Sequence, residues 1–293
     1  MKNIILPQGL TAINQYALAD NTLASVELPD GLKTIQGWAF RNATFTELVI
    51  PASVTSMSQN YICQNASSMT IYMCNSNPIS LGSYTLSLKA SSGPFAAVVV
   101  PTGTVDTYKN TGSNWKKSEI TAPAITDVKA VITGVEYSEN KHIVSGKVSL
   151  TYDMTALPER FESANTAHVF ATGNITFTID GLSRSAASGE IHANPDGTFA
   201  VEVEGLNDNT AYNMALTAEH NGSIFGVEPV SFHTPTTTGL GSIEVSDETV
   251  GDFYSVSGMR MAEGISLAEA RRTLPAGLYL LRAEGKSCKI VIR

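Results

Sequence analysis

Charge is scarce in this chain: 16% of its 293 residues are Asp, Glu, Lys or Arg, while 43% are apolar. A chain that stays disordered needs the opposite balance, so folded units are expected throughout. Long apolar runs are missing too. They stop at about five residues, as at 96–100, against the roughly 20 of a membrane helix, so no transmembrane helix is expected. Three cysteines supply neither a disulfide framework nor an all-cysteine zinc site. Nor is there an excess of positive charge. With 19 basic and 27 acidic side chains the net charge is -8, the wrong sign for neutralising phosphates, which argues against nucleic acid as a partner. The deficit sits in residues 122–240, which hold 5 basic and 14 acidic side chains. No calcium loop of spaced acids accompanies it, and it reads as a solubilising surface.

The signatures of catalysis are absent in the same way. The sequence has no Gly-x-Ser-x-Gly elbow, no His-Glu-x-x-His, no phosphate loop and no dinucleotide fingerprint. His142, His168, His192, His220 and His233 fall on different strands and loops, and surface or edge positions are expected for them. No catalytic residue, metal ligand or cofactor follows from these positions, and a non-enzymatic protein is the expectation. The competing reading is an accessory or catalytic component of an extracellular glycan-degrading system. A glycosidase carboxylate pair stays compatible with the sequence because its two acids can lie far apart in the chain.

What is present is repetition. Leu6-Pro7-x-Gly9-Leu10-x-x-Ile13-x-x-x-Ala17 recurs as Leu28-Pro29-x-Gly31-Leu32-x-x-Ile35-x-x-x-Ala39 and as Ile50-Pro51-x-Ser53-Val54-x-x-Met57-x-x-x-Tyr61. A fixed period of about 22 residues is the mark of a solenoid whose units bury their apolar edges only by stacking. Each unit reads as a strand ended by proline, a turn, and a short helical or 3-10 turn. Leu23, Val26 and Leu28, then Phe45, Leu48 and Ile50, should point inward, with Ala24, Ser25 and Glu27 outward. Aligning residues 69–74 on this frame gives Cys74 the inward place of Leu28 and Ile50. It puts Ser25, Glu47 and Ile71 in one outward row and Glu27, Val49 and Met73 in the next. Val49, Ile71 and Met73 are apolar where a solvated face would be polar. They form either a binding patch or the surface on which the following unit packs. Cys63 and Cys74 read as buried thiols, with a disulfide between them as the alternative.

The run from Leu28 through Trp38-Ala39-Phe40 to Pro51 resembles the leucine-rich repeats of BspA-like bacterial surface proteins. Residues 98–120, with Val100-Pro101, Val105-Asp106-x-Tyr108-Lys109 and Trp115, resemble the closing segment of such arrays. The resemblance implies an extracellular or cell-surface location and an adhesion role toward a host or bacterial surface protein or glycan, presented by the repeat face as a monomer. Met1-Lys2-Asn3 and the short apolar run before Pro7 are too brief for a secretory signal, and the array starts in mid-strand. An upstream continuation with a removed signal peptide is therefore expected.

After a linker at 122–125 the texture changes to alternating strands at 128–137, 143–152, 174–179, 189–193, 199–203, 212–219 and 230–234, the spacing of a β-sandwich. Asn194-Pro195-Asp196-Gly197 is a hairpin turn. Leu206-x-x-x-Thr210-x-Tyr212 and Val230-Ser231-Phe232-x-Thr234 resemble the tyrosine corner and last strand of a fibronectin type III domain, or of an Ig-like relative. A Thr/Gly linker at 235–241 leads to strands at 243–245, 253–256, 278–283 and 288–292, a turn at 284–285, and a short helix capped by Ser266. Tyr254-Ser255-Val256-Ser257-Gly258, Leu274-Pro275-Ala276-Gly277-Leu278-Tyr279 and the basic end at Lys289 and Arg293 resemble the C-terminal sorting domain of type IX secretion substrates. The expected architecture is mainly β: a short leucine-rich repeat solenoid (1–121), a β-sandwich (125–235) and a small β module (242–293), with hinges at 122–125 and 235–242.

Overall fold

The computed structural model describes residues 2–89, 93–138, 141–180, 187–236, 245–283 and 286–292. The hinge expected at 235–242 falls mostly outside these residues. So do the turn at 284–285, Arg293 and the first two residues of the strand expected at 243–245.

The first core is a β-solenoid. Its strands are β1 (Lys2–Ile4), β2 (Ala12–Ile13), β3 (Leu23–Val26), β4 (Thr34–Ile35), β5 (Glu47–Ile50), β6 (Ser56–Met57), β7 (Thr70–Met73) and β8 (Ala97–Val99). The repeat period appears directly as parallel pairing: Ala12, Thr34 and Ser56 align along β2, β4 and β6, as do Ile13, Ile35 and Met57. Each proline ends a strand and starts the same tight turn. Leu10, Leu32 and Val54 donate their N–H to the carbonyls of Pro7, Pro29 and Pro51 at 3.0, 3.1 and 3.1 Å. Proline fixes φ and lacks a donor, so it suits this place and no other in the turn. Leu28, Leu32, Ile35, Phe40, Leu48, Ile50, Val54 and Ile62 then stack in a dry interior. The short helical or 3-10 turn expected to close each unit is absent from the described residues of the repeats. Tight turns take its place, with Tyr16, Asp20, Trp38, Asn42 and Asn65 at positive φ.

The array closes with α1 (Val105–Thr111), a 3-10 turn (Trp115–Lys117) and β9 (Ile120–Thr121), which pairs with β8. Tyr108 and Trp115 are fully buried and meet edge to face at 4.8 Å. The Tyr108 hydroxyl and the Trp115 indole N–H donate to the carbonyls of Asn75 and Ile79 at 2.6 and 2.9 Å. These two rings bury apolar area at the end of the stack while still satisfying their polar tips.

The second core lies between two antiparallel sheets. Its elements are β10 (Ile125–Ser138), β11 (Lys141–Tyr152), α2 (Glu159–Thr172), β12 (Asn174–Asp180), β13 (Ala187–Ile191), β14 (Thr198–Val203), β15 (Ala211–His220) and β16 (Ser223–His233). One sheet has the order β10-β11-β14 and the other β13-β12-β15-β16. Val144, Phe177, Ile179, Met214 and Leu216 are among the inward residues. Gly197 closes the 194–197 turn at φ 83°, where a Cβ would lie 2.1 Å from the Val148 carbonyl, so only glycine fits. The Tyr212 hydroxyl accepts the Asn207 N–H at 2.9 Å. Two histidines depart from the expected surface placement: His142 and His220 are buried. The hinge expected at 122–125 is also tied down. The Ala124 N–H donates to the Asp153 carboxylate at 2.8 Å, and its carbonyl accepts the Asp153 N–H at 2.9 Å.

The third core is smaller. Strands β17 (Val250–Ser255), β18 (Arg260–Ser266), β19 (Gly277–Ala283) and β20 (Lys286–Ile292) form an antiparallel sheet in the order β18-β17-β19-β20. Helix α3 (Leu267–Thr273) packs Leu267 and Ala270 onto Phe253, Tyr279, Leu281 and Ile292. The Ser266 hydroxyl accepts the Glu269 N–H at 3.2 Å, the expected cap. Ser266→Ala should destabilise this module by about 1 kcal/mol, read as a lower denaturant midpoint with unchanged slope.

Candidate functional site: a groove between the solenoid and helix α2

The outer face of the solenoid sheet is divided. Its downstream half is covered. Tyr72, Cys74 and Val99 form a buried cluster with Phe161 of α2, whose ring lies 5.4 Å from that of Tyr72 and is itself fully buried. Burial pushes the Cys74 thiol up to about 11, with the Arg160 guanidinium pulling it partly back. Upstream, the face stays open as a groove of about 710 Å³ between the strand ends and α2. Val26, Val49 and Ala52 give it an apolar floor, and Glu27, Asp30 and Glu159 stand on its rim. Arg160 fixes the helix to the rim: it pairs with Asp30 at 2.9 Å and donates to the Leu28 carbonyl.

Of the residues expected on the outward face, Ser25, Glu27 and Val49 line this groove. Glu47 is exposed just beyond it, and the Tyr72 hydroxyl lies 3.5 Å from its carboxylate. Ile71 and Met73 are corrected: both are fully buried in the solenoid interior, aligned with Leu48 and Ile50 across β5 and β7. The outward residues of β7 are Thr70, opposite Glu47, and Tyr72, opposite Val49. Cys74 lies accordingly on the outer face rather than in the inward place of Ile50. Cys63 and Cys74 are free thiols, and burial raises Cys63 to about 12.

A second surface feature escaped the sequence reading. Tyr16, Trp38, Tyr61 and Tyr84 occupy one place in successive turns and form a ladder, with ring centroids 5.5, 6.2 and 5.5 Å apart. Tyr16 and Trp38 sit at φ 61° and 57°, unusual for bulky residues. At its two ends Arg41 lies over the Tyr16 ring at 5.4 Å and Lys117 over the Tyr84 ring at 5.8 Å, so the rings meet one another and these two cations. The ladder's spacing of 22 or 23 residues was the available signal.

The joint behind the groove is polar. Thr102 of the closing segment donates its N–H to Asn165 of α2 at 2.7 Å, and His220 lies 3.4 Å from the Thr102 carbonyl. Among the described residues, no group of three or more His, Cys, Asp or Glu is placed to hold a metal. No helix there is long and apolar enough to cross a membrane.

None of the curated proteins matches this chain. A solved structure described as a tetra-tandem repeat in the extending region of a large adhesion protein is similar at 12% identity, covering 59% of this chain and 50% of that one. Its TM-score is 0.26, too low for the likeness to bear on fold or function. The family comparison is firmer: residues 1–91 match the BspA type leucine-rich repeat region in six copies, a repeat typical of bacterial surface proteins.

Proposed function

We propose that the chain is a non-enzymatic, surface-displayed binding protein of the adhesion type, and that the groove along α2 holds an extended segment of a partner protein. The observation that carries this reading is the groove itself, an apolar floor under a rim of three carboxylates and one already paired arginine. That chemistry suits a segment of alternating apolar and Lys or Arg side chains, the apolar ones for the floor and the cations for Glu27 and Glu159. The resemblance to BspA-like surface proteins supports the adhesion role. Strand order in the two sheets and the Tyr212 hydroxyl bond support a fibronectin type III-like middle unit that spaces the array. The C-terminal module resembles a type IX sorting domain and would direct export.

The test is a panel of short synthetic peptides with alternating leucine and lysine, against the same peptides with glutamate for lysine. The lysine set should bind, more weakly as salt rises, and Glu27→Lys with Glu159→Gln should weaken it by about tenfold or more. Equal binding of the glutamate set, or an unaffected double variant, would refute the groove as the site.

A further inference from the structure

Helix α2 carries two sites on one rod. Its early residues Arg160, Ser163 and Ala164 wall the groove, while Asn165, His168 and Thr172 run on into the joint around Thr102. We propose that this joint is an acid-labile latch: a proton taken up by His168, where its ring meets His220 against the closing segment, releases α2 from the solenoid and dissolves the groove, so a partner held at neutral pH is let go in acid surroundings. The inference rests on the function proposed above only for the purpose of the groove.

The joint is a close fit. Gly103 lies at φ 81°, and a Cβ there would come 1.7 Å from Asn221 Nδ2. The His168 and His220 rings are 6.3 Å apart and nearly perpendicular. The Thr102 carbonyl lies 3.4 Å from His220 Nε2, and the backbone of the same residue is hydrogen-bonded to His168. Asn221 Nδ2 lies 2.8 Å from His220 Nε2, and Thr172 Oγ1 lies 3.5 Å from Nδ1. The groups facing the pair are therefore one carbonyl from the closing segment, a hydroxyl on α2 and an amide from the β15–β16 turn. The neighbouring Glu219 of β15 is solvent-exposed, and on α2 the carboxylates Glu159 and Glu162 stand in the first turn. Among the described residues no carboxylate pairs with either ring. A carbonyl dipole does not replace a carboxylate as the partner of a protonated His168.

Burial lowers the pKa of His168 below its usual 6.5, the His220 charge lowers it further, and the Thr102 carbonyl pulls it partly back. The undocked state therefore binds the proton more readily. The contribution of His168 to docking is fully present above about pH 6.5 and is lost as pH falls through the lowered value. Asn165 adds little in reserve: its Nδ2 is buried without a partner.

The chain contains its own reporter. Cys74 is buried under Phe161 at the joint, Cys63 is buried in the solenoid interior, and Cys288 is half-buried in the separate C-terminal module. Thiol labelling of the full chain with 4,4′-dithiodipyridine, read by peptide mass spectrometry, follows all three. As pH falls from about 7.5 to 5, the Cys74-to-Cys288 ratio should rise, by at most about tenfold per pH unit for each proton taken up, with Cys63 silent. His168→Gln keeps a donor but cannot titrate, and should flatten the rise. A flat wild-type ratio, Cys63 reacting in step with Cys74, or an unchanged profile in His168→Gln would each overturn the latch. Should that variant stand open at every pH, the wild-type profile decides alone. Opening without any peptide binding would refute the reading of the groove and leave the latch standing. Peptide binding that persists where Cys74 has opened would refute the latch as its regulator.

Discussion

Ile71→Asp is expected to unfold the solenoid, while Thr70→Lys, one residue earlier, is expected to leave it almost unchanged. Ile71 is fully buried and aligns with Leu48 on one side and Val98 on the other, so a carboxylate there has neither water nor a partner. Burying it unpaired costs several kcal/mol, on top of the lost isoleucine packing. That is a large part of the roughly 5–15 kcal/mol by which a domain is stable. Thr70 faces outward beside Glu47 and Ala97, where a lysine gains a cross-strand carboxylate worth a few tenths of a kcal/mol. Thermal unfolding followed by circular dichroism, with Cys63 protection as a local reading, separates the two. Equal losses from both substitutions would mean that β7 is turned over and the Ile71 side chain faces out.

The reason this pair matters is the reason the phase of β7 was illegible in sequence. Alternation reports the facing of a strand only when one face is wet. On β7 the inner face is the solenoid core and the outer face lies under Phe161, so Ile71, Tyr72, Met73 and Cys74 are all buried and all apolar. The repeat frame slips here as well. Leu48 aligns with Ile71 at a spacing of 23, because an extra residue enters between Met57, which still matches Ile35, and Tyr61, which matches Trp38. Earlier repeats were legible because proline marks each strand end and the same turn follows it. The strands of the sandwich and the Ser266 cap were legible for similar local reasons.

Contacts between units left weaker traces. Helix α2 buries Phe161, Asn165 and Val169, a stripe at four-residue spacing broken by a polar residue. Asn165 is polar because its partner is the backbone N–H of Thr102, which no pattern within the helix reveals. His220 is buried by the same approach of two distant segments. The segment at 122–125 reads as a linker on composition, yet Pro123 and Ala124 are hydrogen-bonded to Thr102 and Asp153.

Phe161→Ala is expected to undock α2 while the solenoid itself stays folded. The ring is fully buried among Tyr72, Cys74 and Val99 and is the apolar anchor of the contact. Truncating a buried phenylalanine costs about 3–5 kcal/mol, and here the loss falls on the docking equilibrium because the solenoid interior does not include this ring. About 3 kcal/mol corresponds to roughly two orders of magnitude in the open population. Cys74 should therefore label about a hundredfold faster at pH 7.5 with Cys63 still protected. Arg160→Ala removes a half-exposed ion pair and a bond to the Leu28 carbonyl, so its effect should be several times smaller. If Phe161→Ala leaves Cys74 as protected as in the wild type, the polar joint at Thr102 alone holds the helix. The groove would then survive the loss of its anchor, and peptide binding in the variant would match the wild type.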